Sequence, residues 1–205
     1  MLMEPPYETA RVAFDAVAFS IIDGRFWVRL DVRDKAPQRG MLELPGGLLR
    51  TGESVEETLA RKMRGVLATE KVVFQQFHTF TNPRRDPRAR TVSIGYVALV
   101  KPPVARVGWY ELKGVPSLAF DHLDIVRSAH EYLRTHLDVQ TVRYALPARF
   151  PLNHLQETYE AIEGKKYDNR NFRKRMVQSG DVVELSAVEK DVSHRPARLY
   201  RITVR

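Results

Sequence analysis

The chain has 205 residues, 43% of them hydrophobic and 28% charged, an ordinary globular balance that excludes an extended disordered chain. Lys and Arg number 33 against 25 Asp and Glu, a formal charge of +8 that points toward a polyanionic partner. With 0 cysteines, disulfides and thiolate chemistry are excluded; no apolar run approaches the ~20 residues that span a bilayer, and Met1 to Thr9 lack a basic start with an apolar run, so a cytoplasmic location is expected.

The first half reads as strands broken by one helix. Val12 to Ile22 is rich in Val, Phe and Ile, Asp23-Gly24 supplies a hairpin turn, and Phe26 to Val32 forms the return strand. After Pro45-Gly46-Gly47, the residues Val55, Leu59, Met63 and Val66 recur at spacings of 4, 4 and 3, which predicts a helix from Ser54 to about Leu67. On it Glu57 stands four residues before Arg61, a favourable orientation for a helical ion pair, and Glu56 and Glu57 suit the dipole of the first turn. Lys71 to Phe80 and Thr91 to Val100 read as strands joined by the basic loop Asn82 to Arg90, a candidate functional element. Asp121 is placed as the cap of a second helix reaching about Leu137, with Leu123, Val126, His130, Leu133 and Leu137 as its buried stripe.

Beyond Asp138 the composition shifts: residues 139–205 hold 13 Lys and Arg against 8 Asp and Glu, whereas residues 1–138 hold 20 against 17. A domain boundary near Asp138 is expected. Asn153 and Gln156 have the form of a capping box for a helix with Leu152, Leu155, Tyr159 and Ile162 on its apolar face, ended by Gly164. Asp168 caps a second helix, Asn169 to about Ser179, that turns Phe172 and Met176 inward and Arg170 and Lys174 outward, with Arg173 flanking them. After Gly180, Val182 to Leu185 and Leu199 to Val204 can pair as a hairpin around the basic tip Ser193-His194-Arg195-Pro196. That order, helix, turn, basic helix, hairpin, is the order of a winged helix-turn-helix. An α-helix fits the DNA major groove, so Asn169, Arg170, Asn171, Arg173 and Lys174 are candidate DNA contacts, joined by His194 and Arg195 in the wing. Lys165 and Lys166 read as phosphate contacts or plain surface.

Gly47, Glu53 and Arg61, preceded by Leu44-Pro45-Gly46, resemble the opening of the Nudix box, Gly-x5-Glu-x7-Arg-Glu-U-x-Glu-Glu-x-Gly-U with U apolar. The resemblance implies a Nudix-like α/β/α sandwich in which Glu53 and Arg61 brace the loop against the helix. In that family the Glu after the Arg and the later Glu pair hold divalent metals; here those positions are Lys62, Gly65 and Val66. Mg²⁺ needs oxygen donors, so no catalytic residue, metal or cofactor is expected, and the chain is not expected to be an enzyme. The rival reading is a metal-dependent pyrophosphohydrolase with its metal displaced to Glu53, Glu56 and Glu57.

Thr79-Phe80, Pro83-Arg84-Arg85-Asp86-Pro87-Arg88 and Arg90-Thr91-Val92-Ser93 are similar to the loop of the Nudix-related transcriptional regulators, whose Nudix-like domain senses a nucleotide sugar such as ADP-ribose. Tyr159-Glu160-Ala161-Ile162, Arg170-Asn171-Phe172-Arg173-Lys174 and His194-Arg195-Pro196-Ala197 resemble the same regulators. The resemblance implies an α+β chain with a Nudix-like effector-binding domain at 1–138 and a winged helix-turn-helix at 139–205. It further implies a homodimeric repressor, a double-stranded DNA operator, no membrane partner, and an effector held by Arg84, Arg85, Arg88, Arg90 and Glu53. Some relatives sense sugars, which keeps a carbohydrate effector as an alternative.

Overall fold

The structure, a computed structural model, describes residues 8–64, 66–67, 72–103, 105–190 and 195–203. In chain order the elements are β1 (Arg11–Ile22), β2 (Arg25–Arg29), β3 (Asp31–Val32), β4 (Leu42–Glu43), β5 (Gly46–Leu48), α1 (Val55–Arg64), β6 (Gln75–Phe80), β7 (Thr91–Val100) and β8 (Trp109–Glu111). They continue with α2 (His122–Thr135), α3 (Val139–Val142), β9 (Phe150–Pro151), α4 (Leu152–Glu163), α5 (Asn169–Gln178), β10 (Val182–Val188) and β11 (Arg198–Ile202). Among the described residues no helix is long and apolar enough to cross a membrane.

The chain forms two compact units. The first comprises residues 1–17, 29–98 and 115–129, and β1, β7 and α2 each contribute residues to both units. In the first unit β6, β7 and β1 lie side by side and β5 pairs antiparallel with β1, Phe14 opposite Gly47 and Asp15 opposite Gly46. Gly46 is required there, because a Cβ would come within 2.5 Å of the Phe14 carbonyl oxygen. Its buried apolar side chains include those of β1 (Phe14, Ala16, Val17), α1 (Leu59, Met63), β7 (Tyr96, Val97, Ala98) and α2 (Ile125, Val126, Ala129).

In the second unit the end of β1 pairs with β2 through the turn Asp23-Gly24, whose φ angles of 50° and 68° are those of the two-residue turn that matches strand twist. The return strand is shorter than expected. β2 stops at Arg29, and Asp31 and Val32 pair instead with Glu43 and Leu42. Downstream, α4 packs against α5, β9 and β11, and α5 against β10. The three strands run in the order β10-β11-β9, the third being a short strand that no sequence signal announced. Phe150, Leu155, Ile162, Phe172 and Tyr200 are the largest buried side chains of this part, each at most 2% exposed.

Several local expectations are corrected. α1 ends at Arg64; Gly65 lies outside the described residues. β6 begins at Gln75 and not at Lys71, which is itself outside them. The buried stripe of α2 is His122, Ile125, Val126, Ala129 and Leu133, with Leu123, His130 and Leu137 only half-buried. α4 starts at Leu152 behind Pro151, so Asn153 is inside its first turn and makes no capping box; Gln156 instead donates to Glu160, the Tyr167 carbonyl and Asn169. Asp168, by contrast, caps α5 as expected, accepting from the Asn171 N–H at 2.9 Å, and Gly164 closes α4 at φ 70°.

Candidate functional site

In the first unit a groove of about 280 Å³ opens between β1, β5, the turn after β3, α1 and the basic loop. Asp15 is its buried pivot. Its neighbours on β1, residues 12–14 and 16–19, are apolar, and its carboxylate accepts from Ser93 Oγ at 2.6 Å and from Arg85 at 3.1 Å. Arg85, with a side chain only 5% exposed, donates through Nε and Nη2 to both oxygens of Asp121 at 2.9 and 2.8 Å. The Asp121 side chain, expected as a helix cap, is thus taken by a residue of the basic loop. His122 follows: its Nδ1 accepts from the Leu44 N–H at 2.9 Å, so Nε2 carries the proton and faces Asp15 at 3.4 Å. These contacts tie Asn82–Arg90, the Leu44-Pro45 turn and the start of α2 to one buried carboxylate.

Phe120 forms the groove's aromatic wall. Its φ of 54° is uncommon for a bulky side chain, and its N–H donates to Gln38 Oε1 at 2.7 Å. The ring lies under the guanidiniums of Arg33 at 4.7 Å and Arg88 at 5.3 Å. Arg33 is bonded to Glu43 at 2.7 Å and to the Pro37 carbonyl at 2.6 Å. Arg88 is bonded to Asp86, whose carboxyl it holds below the usual carboxylate range.

Of the five side chains expected to hold an effector, Arg85 and Arg88 line this groove. Arg84 and Arg90 lie with Pro83 and Pro87 along another side of the loop, where Arg90 donates to the Thr81 carbonyl at 2.8 Å. Glu53 is off the groove too; it accepts from Arg61 at 2.8 Å and Thr58 at 2.9 Å, and these bonds lower its pKa. The Glu53–Arg61 brace is therefore present, whereas the expected Glu57–Arg61 pair is not. Glu57 reaches back to the Ser54 N–H at 2.8 Å while Ser54 Oγ accepts from the Glu57 N–H, a capping box at the start of α1. Sequence reading missed Arg33, Glu43, Phe120 and His122 in the groove. Asp15, a lone carboxylate in the apolar stretch 12–19, carried a usable signal; Phe120 carried none.

In the second unit α5 buries Phe172 and Met176 and exposes Asn169, Arg170, Asn171, Arg173 and Lys174. Phe172 meets Tyr159 edge-on at 5.6 Å and Tyr167 at 5.4 Å, and Arg175 covers the same rings at 5.0 to 6.0 Å. No ion pair to Arg170 or Lys174 exists among the described residues. Arg173 turns to Glu184 of β10 at 3.4 Å, and Glu184 also bonds Arg198 and accepts from the Tyr200 hydroxyl at 2.7 Å. Asn169 Oδ1 accepts from Gln156 Nε2 at 2.7 Å. Lys165 and Lys166 are ion-paired with Glu163 and Glu160 at 2.8 and 2.6 Å. Arg195 is exposed beside the wing strands, and His194 lies outside the described residues.

Residues 142–202 match the family described as the NrtR DNA-binding winged helix domain. The ADPR responsive transcriptional repressor NtrR of Acinetobacter baylyi is 29% identical, over 97% of this chain and 84% of that protein. The crystal structure of Shewanella oneidensis NrtR complexed with a 27mer DNA superposes with a TM-score of 0.81 at 29% identity, over 94% of this chain and 93% of that one. The Nudix domain of Shewanella oneidensis NrtR complexed with ADP ribose is 31% identical, covering 62% of this chain and 90% of that domain, with a TM-score of 0.54. The fold is accordingly α+β, a Nudix domain followed by a C-terminal winged helix, and the chain is homologous to the NrtR repressors, which carry both.

Proposed function

We propose that this chain is a DNA-binding repressor in the cytoplasm, acting as a homodimer. In this reading residues 1–138 sense ADP-ribose or a related nucleotide sugar and residues 139–205 read a double-stranded operator. The observation that carries the reading is the outer face of α5. Arg170, Asn171 and Lys174 stand exposed on a helix fixed from below by Phe172 and Met176, within the stretch that matches the DNA-binding domain. Such a helix docks as a rigid body, with Arg and Asn reading base edges and Lys meeting phosphate. Arg195, and His194 with it, would follow the backbone from the wing. Asn169 and Arg173 serve the geometry of the helix, since their side chains are engaged by Gln156 and Glu184.

The effector is assigned to the groove around Asp15, with Arg85 and Arg88 as its guanidinium wall and Phe120 as its aromatic one. Two relatives respond to or bind ADP-ribose. Hydrolysis is not part of the reading. A metal displaced to Glu53, Glu56 and Glu57 would have to compete for two of its three carboxylates, since Glu53 is engaged by Arg61 and Thr58 and Glu57 by the Ser54 N–H.

The test is operator binding by the full chain, on DNA flanking its own gene, titrated with ADP-ribose. ADP-ribose is expected to release the DNA. Unchanged affinity at saturation removes ADP-ribose as effector, and release by a sugar or sugar phosphate alone makes the sensor a carbohydrate sensor. Mg²⁺-dependent turnover of ADP-ribose abolished by Glu57→Ala would establish the hydrolase instead.

A further inference from the structure

Five cationic side chains line the groove: Arg33, Lys35, Lys62, Arg85 and Arg88. The three guanidiniums are already bonded to carboxylates, Arg33 to Glu43, Arg85 to Asp15 and Asp121, and Arg88 to Asp86, all at 2.7 to 3.1 Å. Lys35 follows Asp34, both are exposed, and both line the groove, so their charges offset locally. Lys62 remains. It is exposed on α1, lines the same groove, and makes no ion pair among the described residues.

A divalent cation does not fit this donor set. Lys62 stands where the Nudix box carries a metal-holding glutamate, Glu53 is bonded to Arg61 and Thr58, and no three His, Asp or Glu among the described residues are grouped to hold a metal ion. A guanidinium held by a carboxylate must exchange one anion for another to take a phosphate, whereas a solvated ammonium gives up only water.

We propose that Lys62 is the anion anchor of the groove: its ammonium takes the diphosphate of a nucleoside diphosphate sugar, in place of a metal ion, so that binding requires no divalent cation. This rests on the effector reading above and names the residue and the charge logic that carry it. Lys62 also explains capture without cleavage, since a single ammonium neutralises phosphate charge but cannot position and ionise an attacking water as a bound metal does.

The test is calorimetry on the full-length protein with two probes, ADP-ribose and inorganic pyrophosphate, each in EDTA and in Mg²⁺. The wild type is expected to bind ADP-ribose equally in both buffers. Lys62→Met, at an exposed site, is expected to keep the fold and weaken both probes by about 10- to 100-fold. Lys62→Arg is expected to restore most of the loss. Dependence of the wild type on Mg²⁺, or undiminished affinity in Lys62→Met, overturns the proposal. Should ADP-ribose fail to bind while pyrophosphate binds through Lys62, the anchor stands and the effector reading falls; should neither probe bind, both fall.

Discussion

Asp15 and Arg25 illustrate how differently two ion-pairing residues weigh. Asp15 is 5% exposed and shares Arg85 with Asp121, so the guanidinium has no water to fall back on if a partner is lost. Breaking a buried pair by removing one charge is strongly destabilising, and Asp15→Asn, which keeps the shape and the Ser93 bond, is expected to cost about 3 kcal/mol in urea unfolding. Arg25, 65% exposed, pairs with Glu111 at 2.9 Å in open solvent, and Arg25→Ala is expected to cost about 1 kcal/mol or less. Equal losses in the two variants would remove the pivot role given to Asp15. Glu160 makes a pH-dependent case. Burial alone would raise its carboxyl, but hydrogen bonds from Gln156, Lys166 and the Tyr167 N–H outweigh that and hold the pKa at about 2, against an ordinary 4.5. A depressed carboxylate contributes stability that is fully present above the unfolded value and is lost as pH falls through the folded one. Between about pH 4.5 and 2 the wild type should therefore lose stability more steeply than Glu160→Gln, as thermal melts across that window will register.

At the scale of elements, the proposed function has α5 separate DNA contact from packing by helical phase. Positions 170 and 174 share a face four residues apart, while Phe172 and Met176 occupy the opposite one. Arg175 belongs to the second group despite its charge, since it covers the rings of Tyr167 and Phe172 at 5.0 and 5.2 Å. Three substitutions on one helix should therefore behave differently. Arg170→Ala is expected to cost about 1–3 kcal/mol of operator affinity and to relax base preference, and Lys174→Ala to weaken all sequences alike and lower the salt slope by about 1. Arg175→Ala should lower the unfolding midpoint and leave the salt slope unchanged. Anisotropy titrations at several salt concentrations measure the first two and a melt the third; a salt slope that drops with Arg175 would undo the phase assignment. Glu184 ties this helix to the wing, holding Arg173, Arg198 and Tyr200 at once.

Across the whole molecule, what the sequence disclosed is what short-range chemistry decides. The Asp23-Gly24 turn, the Asp168 cap and the Gly164 stop each depend on neighbours within a few residues, and each formed as read. The groove was only partly legible, because Arg85 finds its partners 70 residues upstream and 36 downstream, and nothing in the basic loop itself announces Asp15 or Asp121. In the proposed function, coupling between effector and DNA would likewise be a property of the whole chain, with a quantitative consequence. If ADP-ribose weakens operator binding by some factor, the operator must weaken ADP-ribose binding by the same factor, because both are legs of one thermodynamic cycle. Such factors are typically about 5- to 150-fold, and moving a protein from nearly all DNA-competent to nearly all incompetent takes about 10⁴-fold. Calorimetry of ADP-ribose into the free chain and into the chain saturated with operator, set beside operator titrations with and without ADP-ribose, closes the cycle. The expected result is one factor, greater than about five, from both directions. A factor of one in both would mean that groove and reading helix titrate independently, and the chain would then bind DNA without being governed by the nucleotide sugar.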